Sequence, residues 1–95
     1  MENDKRLVPI DMICHYTAEG EVIPLRFRIA DEEGEYQVYS VRGFRELQQY
    51  GRTTRDHVYM TPRNKFFECD ILAFSKRRTV RIYFNKEECR WWLAT

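Results

Sequence analysis

Five side chains in the sequence are of the type that holds soft metal ions or delivers a nucleophile: Cys14, His15, His57, Cys69 and Cys89. Zinc ligands usually come in closely spaced pairs such as C-x₂-C, whereas Cys14, Cys69 and Cys89 lie far apart in the chain. Cysteine is also among the most buried residue types, so a core position explains Cys14 and Cys69 better than ligation does. Nucleophilic catalysis needs a thiol or hydroxyl beside an oriented base. His57 is the one imidazole placed near an exposed loop, and no G-x-S-x-G, phosphate-cradling loop or H-E-x-x-H accompanies it. Glu68 and Asp70 project from one face of an extended segment, a spacing that suits a carboxylate pair and suits cross-strand pairing with arginines better. The sequence therefore predicts no catalytic residues, no metal and no cofactor, and a protein that is not an enzyme.

Cations and aromatic rings offer more. Net charge is +1, but residues 1 to 36 carry net −5 and residues 37 to 95 carry net +6. Arg52 and Arg55 fall in a basic loop, and Lys76, Arg77, Arg78 and Arg81 fall at one hairpin. With tyrosine or tryptophan faces available for base stacking, Arg52, Arg55, Arg77, Arg78 and Arg81 are candidate nucleic-acid contacts. Trp91-Trp92 is the most unusual dipeptide. On a strand the two indoles point to opposite faces, so one fills the core and the other is a candidate contact for a protein partner or a second copy of the chain.

The elements that must carry these residues are strands. Ile10, Met12, Cys14 and Tyr16 fall on one face of an extended segment, with Asp11, Ile13, His15 and Thr17 on the other. After a Glu19-Gly20 turn, Ile23, Leu25, Phe27 and Ile29 alternate with Pro24, Arg26 and Arg28. Pro24 belongs at a strand start or on an edge, since it has no N–H to give. An acidic turn at 31 to 35 leads to a third strand, 36 to 41. Phe44, Leu47 and Tyr50, spaced three apart and followed by Gly51, predict a short helix over 44 to 50. Residues 52 to 56 read as an exposed, mobile loop. Lys65 to Phe74 is apolar on both faces and so reads as a central strand. Val80 to Phe84 and Cys89 to Leu93 close the chain, and Val58 to Met60 is a candidate short strand.

The fold expected is all-β: a small antiparallel meander or partly closed barrel of five or six strands with one short helix, a single domain over 1–95 with an ordered core at about 8–94. Its core is expected to hold Ile10, Met12, Cys14, Ile23, Leu25, Phe27, Ile29, Val38, Val41, Leu47, Phe67, Cys69, Ile71, Val80, Ile82, Phe84 and Leu93. No apolar run approaches the length of a membrane span, Met1 to Arg6 lead into no signal-like segment, and the odd cysteine count suits a reducing compartment. A cytoplasmic protein with no membrane association is expected.

Read in order, Glu19-Gly20-x-x-x-Pro24 leads into Phe27-Arg28, then Tyr36-x-Val38-x-x-Val41, Phe67-x-Cys69, Ile82-Tyr83-Phe84 and a closing Arg90-Trp91-Trp92-Leu93. This order resembles a group of short uncharacterised bacterial proteins that share an E-G-x-x-x-P turn, a Y-x-V-x-x-V strand and a terminal aromatic hairpin. The resemblance spans roughly residues 8 to 94 and departs over 44 to 65, where this chain is longer and more basic. It implies an all-β fold and carries no activity, cofactor or catalytic residue. The chain is also distantly similar to small domains found beside DNA-repair polymerase genes, which implies a nucleic-acid or repair setting. The expected function is a small non-enzymatic protein-interaction module, with self-association as one route; the alternative is a nucleic-acid-associated small barrel.

Overall fold

The computed structural model describes residues 7–94; Met1 to Arg6 and Thr95, which the single-domain expectation includes, lie outside the described residues. Seven strands, not the five or six expected, follow one another: β1 (Leu7–Tyr16), β2 (Val22–Ala30), β3 (Tyr36–Ser40), β4 (Gly43–Leu47), β5 (Asn64–Ala73), β6 (Lys76–Asn85) and β7 (Arg90–Ala94); the added strand is the segment read as a helix. All pair antiparallel in one sheet of order β3-β2-β1-β7-β6-β5-β4. The two end strands are neighbours in the chain, joined only by Val41 and Arg42. At this kink Val41 N–H donates to Leu25 O of β2 and Arg42 N–H donates to Asp70 O of β5. A single bent stretch of chain therefore spans both edges of the sheet, and the sheet curls into a half-barrel with β3 lying against β5.

Inside the curl lie Ile10, Val22, Phe27, Phe67, Cys69, Ile71, Ala73, Ile82, Phe84 and Trp91. Phe84 and Phe67 flank the Trp91 indole with ring centroids at 4.5 and 5.8 Å. Except for Val22, these are the positions that strict alternation assigns to the inner face, and most of the expected core is found there.

Three expectations are corrected. Residues 44–47 form a strand, not a helix. Phe44 turns inward, edge-on to Phe67 at 6.0 Å, Arg45 pairs outward with Glu68, and Leu47 lies opposite Phe66. Spacing of three between apolar residues mimics a helix, but alternate neighbours across β5 decide the matter. Leu25 and Val38, expected in the core, are exposed. The register of β2 on β1 slips between Ile13 and Cys14, so that Ile13 opposes Arg26 and Cys14 opposes Pro24, with Leu25 left over. This bulge inverts the facing of everything before it: Val22 and Pro24 turn inward. Pro24 is tolerated because it sits at the bulge, beyond the last β3 pair.

The third correction concerns the connection 48–63. Expected to be exposed and mobile at 52–56, it instead folds over the outer face of β5, β6 and β7. Met60 is fully buried there with Phe66, Tyr83 and Ala94, bordered by Leu7, Leu47 and Val58. This second core explains why β5 is apolar on both faces. Phe66 and Tyr83 stack almost parallel, at 4.6 Å and 8°. Thr53 and Tyr59 form an isolated bridge in place of the short strand expected at 58–60. Gly51, with φ of 79°, reverses the chain so that its N–H reaches Met60 O.

Candidate interaction surface

The covered face is fastened by a buried polar cluster. Thr54 holds a tight turn in which its hydroxyl accepts from the Asp56 and Val58 N–H groups, and His57 adopts a positive φ of 65°. The turn drives the Asp56 carboxylate under the loop, where its side chain is 2% exposed. Arg81 of β6 meets it with two donors, Nε to Oδ2 at 2.7 Å and Nη2 to Oδ1 at 2.9 Å. Tyr83 Oη lies 2.7 Å from Asp56 Oδ2 and 2.8 Å from Thr54 Oγ1; with one proton to give, it donates to the carboxylate and accepts from the threonine. The hydrogen bond to Asp56 pushes the Arg81 guanidinium further up, and burial pushes the Tyr83 phenol well above its ordinary value.

This geometry separates the five candidate nucleic-acid arginines. Arg81 is occupied by Asp56 and belongs to the fastening. Arg52 and Arg55 are exposed on the loop that covers the sheet. Arg77 and Arg78 stand at the far end of the β5–β6 hairpin, opposite Leu72 and Ile71. The structure does not gather the five into one patch. It likewise divides the tryptophans: Trp91 is buried at 6%, while Trp92 is half-buried on the outer face, between Pro9 of β1 and Tyr83 of β6.

The soft ligands are also dispersed. Cys69 is sealed inside the curl, where burial, aided by Asp70, pushes its thiol up to about 12. Cys14 and Cys89 do line one groove, opened where β1 and β7 part after Ile10 and Trp91, together with Tyr16 and Arg90. Both thiols are free. Burial, then Cys14 and Cys89, raise the Tyr16 phenol. Among the described residues no three potential ligands converge on a point. Of the carboxylate pair, Glu68 is taken by Arg45 and Asp70 accepts from Thr79 Oγ1 at 2.8 Å.

What sequence reasoning missed is the bare outer face of β1, β2 and β3. Ile13 at 59% exposure, Val38 at 56%, and Tyr36 stand exposed on it, with the bulged Leu25 also exposed. Between Ile13 and Val38 runs a groove of about 450 Å³ whose walls include Asp11, Arg26 and Arg28. Arg28 Nε donates to Asp11 Oδ2 at 2.7 Å and its guanidinium lies 3.9 Å over the Tyr36 ring. Arg26 has no such partner among the described residues. The signal was present in the alternation: Val38 shares parity with Tyr36, and Tyr39, 5.4 Å from Phe27, takes the inward place.

No protein-family model, curated protein or solved structure matches the chain. A functional assignment therefore rests on the surface itself.

Proposed function

We propose that the protein is a small non-enzymatic interaction module whose contact surface is the outer face of β1, β2 and β3. The observation that carries this reading is an asymmetry. One outer face of the sheet is covered by the chain's own loop, plugged by Met60 and fastened by Asp56, while the other presents Ile13, Tyr36 and Val38 to solvent. Water contact with side chains of this size is unfavourable by roughly 25 cal/mol per Å² of apolar surface, so their grouping favours a partner.

The first partner to test is a second copy of the chain. The face carries both signs of charge around an apolar centre, including Arg26 with no ion pair among the described residues, so it can pair with its own copy about a two-fold axis. Sedimentation equilibrium from about 1 µM to about 1 mM tests it. The mass should rise from 11.6 kDa toward twice that value, and Val38→Asp should hold it at one. A wild-type chain that stays monomeric throughout overturns self-association.

A further inference from the structure

The β5–β6 hairpin ends in a feature that neither the core nor the bare face uses. Ala73 and Lys76 are the last paired residues, so the turn consists of Phe74 and Ser75, with φ of 53° and 65°. Two consecutive positive values define the tight turn that normally takes Asn-Gly, because a side chain crowds the following carbonyl there. A phenylalanine is poorly suited to that conformation, and Phe74 has no packing to compensate: it is 88% exposed. Strain held without a structural return points to a use for the ring.

The turn leads directly into three cationic side chains, Lys76, Arg77 and Arg78. Arg28, Arg45, Arg63, Lys65 and Arg81 are each tied to a carboxylate; Lys76, Arg77 and Arg78, like Arg26, make no ion pair among the described residues, and only these three stand together at one turn. Because strand side chains alternate, Lys76 and Arg78 flank one side of the hairpin and Arg77 the other, beside the exposed Leu72. The result is a convex finger with one flat aromatic at its tip and, behind it, three cations that have no ion pair among the described residues.

We infer that this fingertip binds a single-stranded polynucleotide, with an unpaired base stacked on Phe74 and successive phosphates met by Lys76, Arg77 and Arg78. Stacking on an aromatic needs a base freed from a duplex, and cations on both sides suit a flexible anionic chain that wraps a convex element. A peptide would need a groove or a free strand edge, which the tip lacks. A bilayer would need more apolar surface than one Phe and one half-exposed Leu supply. The site is separate from the β1–β3 face, so either can fail without the other.

Fluorescence anisotropy with labelled poly-dT and poly-rU 20-mers, the matching duplexes and anionic vesicles, at about 50 and 200 mM salt, tests the inference. Three phosphate contacts on a single strand predict a loss of affinity of about twentyfold between the two salts. Phe74→Gly should weaken single-strand binding about tenfold while raising the melting temperature, a combination that a purely structural role for the ring cannot give. Arg77→Glu with Arg78→Glu should abolish binding, and Arg52→Glu should leave it within about twofold. The DNA and RNA arms identify which strand is preferred. The inference is overturned by unchanged binding in Phe74→Gly, by equal affinity for duplexes, by an Arg52→Glu effect as large as that at the hairpin, by binding to vesicles alone, or by no binding at about 50 mM salt and 100 µM protein.

Discussion

A carboxylate taken out of water loses several kcal/mol unless its charge is met, and Asp56 is met twice, by the Arg81 fork and by Tyr83. Removing it leaves a partly buried guanidinium alone. Asp56→Ala should therefore cost about 3 kcal/mol in urea unfolding, and Asp56→Ala combined with Arg81→Met should cost less than Asp56→Ala alone. Equal losses in the single and double variants would mean that the pair is not coupled. Cys69 makes a pH prediction. Its folded value, about 12, lies above the ordinary 9.0, so the neutral thiol is the form the fold favours. Its contribution is whole below pH 9 and is lost as pH rises from 9 toward 12; Tyr83, also raised, adds to the loss above its ordinary 10.0. Unfolding free energy measured from about pH 8 to about pH 11 should fall on the alkaline side, less steeply in Cys69→Ala, and a flat profile would contradict the burial of both groups.

At the scale of elements, the loop 48–63 is a cover that the fold requires. Met60→Ala removes its buried plug and should cost about 3 kcal/mol, with amide exchange at Thr54 and Val58 accelerating before that of β5 and β6. Exchange that rises uniformly across the sheet would show the loop and sheet to be one cooperative unit. The hairpin turn predicts the opposite sign: Phe74→Gly relieves a positive φ and should stabilise by about 1 kcal/mol. Much of this was legible in the residue pattern. Alternation over 10–16, 65–74 and 80–84 marks strands because each has at least one apolar face to bury. The double-sided pattern of β5 correctly announces a strand covered on both faces, without saying what covers it. Three things were not legible. The bulge at Leu25 inverts facing through a register choice made by the partner strand. Phe44, Leu47 and Tyr50 match a helix by accident of spacing. Arg81 and Asp56 are partners across 25 residues, so a count of basic side chains treats as free a cation that the fold has already used.

The whole molecule is a half-barrel with unequal outer faces. Its dipolar sequence, acidic before residue 37 and basic after it, does not become two charged halves in space, because β1 pairs with β7 and β3 lies against β5. What distinguishes one side from the other is cover. A chain of this size exposes apolar surface everywhere, so scattered side chains carry no message; Ile13 on β1 and Tyr36 and Val38 on β3 flank β2 on one face, beside Arg26, which has no ion pair among the described residues, and they form a group. The most direct measurement is a dilution series of amide spectra on uniformly labelled protein, from about 1 mM to about 20 µM. If the β1–β3 face joins two copies, shifts on dilution will gather at Asp11, Ile13, Arg26, Arg28 and Val38, and Val38→Asp will fix the spectrum in its dilute form. Spectra that do not change with concentration, or changes that gather on the loop 48–63, would contradict it.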